Sequence, residues 1–256
     1  MRTLDENDKE VSLTFAKGLE VLCAFDGKHR TLTMTEVATK TNLSRAVARR
    51  LVRTLEQLGY LSQDRGRYEL TPHVLRLAQG FVEGRGISQI IQPILRLASD
   101  AVGEAVSFSM LDDAEAVYVA HSSGPSRFTL NMVTTGSRIP LLPTAAGRAM
   151  LAFLDAPMRE AIIADAPLTA HTGRTETSKE KLIAQLEQIR VRGYCFADAE
   201  YVEGVDSLAV PVLGIGGKVM GAISIIFPQN RYLPDHIEQV LFPMLRQCAA
   251  DVSQTF

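Results

Sequence analysis

Three arginines, Arg45, Arg49 and Arg53, recur at four-residue intervals, with Arg50 beside them and Ser44 immediately before. On an α-helix that spacing gathers the three guanidinium groups along one face. A planar, permanently charged fork pairs with phosphate oxygens through two hydrogen bonds at once, and it also fits the guanine edge in the major groove. A helix so charged suits double-stranded DNA. Ser44, Arg45, Ala46 and Arg49, near its N-terminus, are placed to reach base edges, while Arg49 and Arg53 meet phosphates. Thr33 and Arg50 flank this surface, and Arg65 and Arg67 form a second cationic group a dozen residues further on.

The elements that must hold these side chains are readable around them. Ser12 caps a first helix with an apolar stripe of Leu13, Ala16, Leu19, Val21, Leu22 and Phe25, ended by Asp26-Gly27-Lys28. Thr33 with Glu36 three residues on is a capping box, and the short helix it starts buries Val37 and Ala38. Asn42 tolerates a left-handed turn, Leu43 plugs the corner and Ser44 caps the arginine helix. With Val47 as reference, Leu51, Leu55 and Leu58 form its core side, opposite Arg45, Ala46, Arg49 and Arg53. Gly59 stops it. Residues 60–70 then read as two short strands around Asp64-Arg65-Gly66-Arg67, a hairpin with arginines at its tip. Helices followed by a basic hairpin predict a winged helix-turn-helix over residues 1–72.

Charge and length agree. From Lys28 to Arg85 there are 11 Lys/Arg against 5 Asp/Glu, so a chain of net charge −2 carries +6 in this block and −8 elsewhere. One region is suited to phosphate and the other is not. At 256 residues and 46% apolar, the chain can bury the cores of two domains. No apolar run approaches the roughly 20 residues that span a bilayer, and the acidic start excludes a signal peptide, which predicts a cytoplasmic protein without membrane association. Cys23, Cys195 and Cys248 are too scattered for a disulfide framework or zinc cluster and read as small buried residues.

Pro72 opens a helix running to Gly84, predicted as a linker helix over 73–88, with a further domain over 89–256. The helix from about Ser88 to Ala101 is apolar around more than one face, as befits either a connector packed on a partner subunit or a plain core helix. Strands are predicted over 105–111, 115–121, 194–197, 208–213 and 219–227. Helices are predicted over 145–154, 157–164, 179–192 and 234–253. Strands first and last with helices between give an α+β fold. Catalytic readings fail in turn. Gly214-Ile-Gly-Gly-Lys-Val-Met-Gly221 has no Ser/Thr after the lysine and reads as a hairpin turn. The five histidines have no metal-ligand spacing, and Ser122-Ser-Gly124 is not a nucleophile elbow. No cofactor is expected, and an enzyme with an appended winged helix is the alternative reading.

These residues together resemble the IclR family of bacterial transcription regulators over almost the whole chain. The carriers are residues 15–22, the helix pair with Thr54-Leu-Glu-Gln-Leu-Gly-Tyr60, Tyr68-Glu-Leu-Thr-Pro72, residues 136–149, residues 200–211 and Gly221-Ala-Ile-Ser224. The resemblance implies a homodimer or homotetramer on a palindromic operator, a GAF-like effector domain, and contact with RNA polymerase. Arg45-Ala-Val-Ala-Arg-Arg-Leu51 with Leu75-Arg-Leu-Ala78 is most similar to the branch that controls aromatic acid breakdown. Positions matching the family's effector pocket are Thr144, Ala145, Ala146, Asp198, Glu200, Ser207 and Ser224. Free N–H groups of a helix starting near Ala145 suit a carboxylate. Arg148 stands where many members carry Lys, and Ile226 replaces a polar residue, which implies a larger, partly apolar ligand.

Overall fold

The computed structural model describes residues 8, 10–124 and 133–256, so the acidic N-terminal start lies outside the described residues. The chain divides into two compact units, Met1–Val82 and Glu83–Phe256, each described by itself below.

In the first unit, α1 (Leu13–Cys23), α2 (Met34–Lys40) and α3 (Arg45–Gln57) pack on a three-stranded antiparallel sheet of β1 (Thr31–Thr33), β3 (Arg67–Leu70) and β2 (Leu61–Asp64), in that order. The caps are those expected. The Ser12 hydroxyl accepts from the Phe15 N–H, Thr33 and Glu36 form a reciprocal capping box, Ser44 caps α3, and Asn42 takes φ 51°. Strand β1 was not expected; three residues carry no period, and pairing with β3 alone makes them a strand. The core joins Val21, Phe25, Leu32, Val37, Leu51, Val52, Leu55, Leu61 and Tyr68. The stripe of α3 turned inward is Ala48, Leu51, Val52 and Leu55, a slight rotation from the expected one. Leu58, expected in the core, is 57% exposed, because α3 has already ended at Gln57 and its cap points outward. Helix α4 (Leu75–Gly84) follows a 3₁₀ turn at Pro72–Val74 and exposes Leu75, Leu77 and Phe81.

The second unit is a six-stranded antiparallel sheet in the order β6-β5-β4-β9-β8-β7. The strands are β4 (Val106–Asp112), β5 (Glu115–Ser122), β6 (Arg138–Pro140), β7 (Cys195–Asp198), β8 (Val205–Leu213) and β9 (Val219–Pro228). Strand alternation sends Ala116, Tyr118, Ala197, Ala209 and Ala222 to one face, where they share a core with α6 (Ala145–Leu151) and α8 (Lys179–Arg192). Small residues on that face let the wholly buried α6 lie close. The alternate residues Leu208, Val210, Ile223 and Ile225 of β8 and β9 lie on the side of α10 (Phe242–Ser253), while α5 (Gln92–Val102) packs on β4 and β5. Short helices α7 (Ala156–Asp165) and α9 (Pro234–His236) complete the unit.

Helices α5 and α10 pack together and begin alike, from Ile87-Ser-Gln-Ile-Ile-Gln-Pro-Ile-Leu-Arg96 and Ile237-Glu-Gln-Val-Leu-Phe-Pro-Met-Leu-Arg246. Each is preceded by a π turn in which the N–H of Gln92 or Phe242 reaches the carbonyl five residues back. Pro93 and Pro243 explain it: each lacks the N–H that would bond the carbonyl four residues earlier, and a widened turn relieves the ring. Cys195 and Cys248 are buried as expected, their thiols pushed up to about 12 by desolvation; Cys23 is exposed instead, at the last turn of α1.

Candidate DNA-binding surface and ligand pocket

Arg45, Ala46, Arg49, Arg50 and Arg53 are all exposed on α3, opposite its buried stripe. Arg45 donates to the Thr35 hydroxyl on α2. Arg50 lines an apolar groove with Phe15, Leu19, Leu58 and Leu77 and so stands apart from the other three. The Ser44 hydroxyl accepts from the Val47 N–H at 3.3 Å, and Thr33 is committed as an acceptor to Glu36 at 3.3 Å. Both keep a hydroxyl proton to donate. In the hairpin β2–β3, Asp64 pairs with Arg67 across a two-residue turn in which Arg65 (φ 46°) and Gly66 (φ 81°) are both left-handed. That is the hairpin-compatible turn, and placing an arginine there costs about 1 kcal/mol. Arg65 therefore points from the tip. Arg67 does not share its freedom: its Nε donates to the Thr31 hydroxyl at 2.9 Å and its Nη2 to the Thr31 carbonyl at 2.8 Å and to Glu36 at 3.3 Å. It fastens the hairpin to the start of α2.

In the second unit a narrow, partly solvent-open pocket of about 550 Å³ lies between α6 and the sheet. Of the residues expected there, it brings together Thr144, Ala145, Ala146, Glu200, Ser207 and Ser224. Thr144 caps α6, donating to the Pro140 carbonyl at 2.7 Å and accepting from the Gly147 N–H at 3.2 Å. The N–H groups of Ala145 and Ala146, in the first turn, have no intrahelical partner. Ser207 and Ser224 sit on adjacent strands, two pairs apart in register, since Ser207 faces Ile226 and Ser224 faces Ala209. Asp198 is not in the pocket. It ends β7 on the face opposite Ala197, accepts from Gln229 Nε2 at 2.6 Å and pairs with Arg174.

Glu200 lines the pocket without lending it negative character. Its carboxylate takes both guanidinium nitrogens of Arg148, at 2.6 and 2.5 Å, and the Glu176 N–H at 3.1 Å. Arg148 is 2% exposed and also donates through Nε to the Leu142 carbonyl. Only such a bidentate, fully satisfied pair tolerates this burial. The wall carrying Glu200, Tyr201 and Val202 is further held by a strap: Thr172 Oγ1 donates to the Ala199 carbonyl at 2.8 Å and Thr175 Oγ1 to that of Glu200 at 2.6 Å. His171 meets the Tyr201 ring edge to face at 5.0 Å.

Lining residues that sequence reasoning missed are Tyr118, Val133, Ile139, Tyr201, Val202 and Val205. Burial pushes the Tyr118 phenol up to about 12 and also raises that of Tyr201, so both remain neutral donors. The hydroxyls of Tyr118, Ser207 and Ser224 have no hydrogen-bond partner among the described residues. The remaining wall is apolar, from Ile139, Val202, Val205 and Ile226.

Residues 14–65 match the IclR helix-turn-helix domain family and residues 79–254 the bacterial transcriptional regulator IclR C-terminal family. The Pca regulon regulatory protein of Pseudomonas putida is 31% identical over 245 residues, covering 96% of this chain and 84% of that one. The p-hydroxybenzoate hydroxylase transcriptional activator of Acinetobacter baylyi is 31% identical over 241 residues, covering 93% and 89%. Among solved structures, a putative transcriptional regulator from Rhodococcus sp. RHA1 superposes with a TM-score of 0.82 at 34% identity, covering 96% of this chain and 98% of that one.

Proposed function

The chain belongs to the IclR family of bacterial transcriptional regulators, and on that premise we propose that it binds a palindromic operator as a homo-oligomer and responds to a small aromatic carboxylate. Its relatives are regulators, not enzymes, which sets aside an enzyme with an appended winged helix. Residues 1–72 grip DNA in the cytoplasm. Helix α3 enters the major groove with Ser44, Arg45 and Ala46 at the base edges, Arg49 and Arg53 meet phosphates together with Thr33, Arg50 and Arg65, and Arg67 braces the wing. Residues 73–88 link this module to an effector-binding and oligomerisation domain over 89–256, and RNA polymerase is engaged at the promoter. Exposed Phe15, Leu19, Leu58 and Leu77 around one groove support apolar association with a second copy.

The observation that carries the effector reading is the set of unpartnered hydroxyls on Tyr118, Ser207 and Ser224. They share an otherwise apolar pocket with the first N–H groups of α6. Uncharged donors around a mostly apolar cavity suit an anion with an apolar ring, whose carboxylate takes the donors. Ile226 on the wall favours such a ligand over a small polar acid, and a relative of 31% identity is named for p-hydroxybenzoate hydroxylase control. The ligand acts by binding the DNA-competent and DNA-incompetent states unequally. Thermal-shift titration with 4-hydroxybenzoate, 3,4-dihydroxybenzoate and glyoxylate, followed by gel shifts of the upstream DNA with and without the best of them, tests it. Stabilisation by an aromatic acid together with altered DNA binding is expected; stabilisation by glyoxylate alone contradicts the ligand class.

A further inference from the structure

The unit from Glu83 to Phe256 carries a second cleft, larger than the effector pocket and different in character. It holds about 1200 Å³ including its open mouth and lies at the far end of α6, against Phe153 and Leu154. Three cationic side chains reach it from separate segments: Arg85 at the start of the unit, Arg190 in the last turn of α8, and Lys218 in the β8–β9 turn. Its apolar wall includes Met110, Met158 and Met220, unbranched side chains that adapt to irregular ligands.

The charge of this cleft runs against its surroundings. Residues 83–256 contain 14 Lys/Arg and 19 Asp/Glu, yet the cleft gathers three cations and a single carboxylate, Asp155, among its described lining residues. Neither Arg190 nor Lys218 forms an ion pair among the described residues, although α8 places other cations in pairs or ring contacts nearby. Arg190 and Lys218, two like charges brought into one cleft with no ion pair among the described residues, repel one another, and a bound anion relieves that repulsion. The effector pocket offers no such cation, since Arg148 is consumed by Glu200. The two sites therefore select different chemistry. We propose that this second cleft binds an organic anion carrying at least two negative charges on an apolar body, at a site separate from the effector pocket. Arg190 and Lys218 take the charges and the methionines take the body.

The aromatic disulfonate bis-ANS serves as the probe, titrated by fluorescence against the full chain. Saturable binding to the wild type is expected. The Arg190→Gln/Lys218→Gln double variant should weaken it about tenfold or more, the scale of lost charge-assisted contacts. Arg190→Glu/Lys218→Glu should abolish it with an unchanged circular-dichroism melt, since both side chains are exposed. Arg50→Gln, in the apolar groove of the other unit, should bind the dye like the wild type. Absence of saturable binding, equal binding by the double variants, or loss on Arg50→Gln alone would overturn the proposal. None of these variants touches the effector pocket, so such a failure leaves the effector reading intact.

Discussion

Arg148→Met removes one half of the buried pair that ties α6 to the wall of the effector pocket. Glu200, 11% exposed, would keep only the Glu176 N–H on its carboxylate, and the Leu142 carbonyl would lose its donor. Stranding one charge of a buried pair costs about 3–5 kcal/mol. In a unit of this size that corresponds to a fall in Tm of about 6–20 °C. Glu200→Gln should be similarly harmful, because it strands Arg148 at 2% exposure. The double variant Arg148→Met/Glu200→Met has no charge left to strand and should recover much of the loss, since apolar replacement of a whole buried pair is often neutral. Melting curves of the four proteins, followed by circular dichroism and completed as a double-mutant cycle, provide the assay. The same four proteins should rank identically in effector affinity, because Glu200 anchors Tyr201 and Val202 beside the ligand. A single variant that melts within a degree or so of wild type, or a double variant whose loss equals the sum of the singles, would refute the coupling.

Tyr118→Phe should lower effector affinity about tenfold to a hundredfold by removing a donor to an anion. Its melt should not move, because the hydroxyl has no protein partner among the described residues; unchanged affinity in isothermal titration would show that the phenol does not touch the ligand. Thr175→Val deletes the hydroxyl that donates to the Glu200 carbonyl at 2.6 Å and accepts from the His171 and Thr172 N–H groups at 3.0 and 2.9 Å. A loss of about 1–3 kcal/mol in urea unfolding is expected, and Thr175→Ser should restore most of it. Asp206 is buried, its Oδ1 lacks a partner, and desolvation raises its pKa despite the Asn230 N–H at 3.1 Å. A raised folded-state pKa means that its favourable contribution is present below the unfolded value near 4 and is lost as pH rises through the folded value. Asp206→Asn should therefore gain stability relative to wild type as pH rises above about 4; a difference that stays constant as pH rises would contradict the assignment.

How much of this was readable in advance depended on whether the cause was local. The arginine stripe, the Thr33–Glu36 box, the Ser44 cap and the left-handed Asn42 are set by neighbours within four residues, and they stand in the structure as read. Leu58 was misplaced because helical periodicity carries on past the point where a helix stops. β1 and β6 have three residues each, too few to show a period, and exist through pairing with β3 and β5. In the pocket, Ser207, Ser224 and the start of α6 were legible through the family resemblance. Tyr118 was not, because its partners lie far along the chain and a tyrosine in an apolar strand looks like core. Asp198 and Glu200 look equivalent in sequence, yet the chain turns at Ala199, with φ 50°, and sends one to Arg174 and the other to Arg148. The 52-residue separation of Arg148 from Glu200 carries no sequence signal at all.

The claim on which the whole reading depends is that the exposed guanidinium groups of α3 face nucleic acid. Operator affinity measured across a series of salt concentrations, for the wild type and for Arg49→Ala/Arg53→Ala, tests it most directly. Each phosphate contact contributes about 0.9 to the slope of log affinity against log salt, so the double variant should bind more weakly with a slope shallower by about 1.8 per protomer. An unchanged affinity and slope would mean that this helix face does not meet DNA.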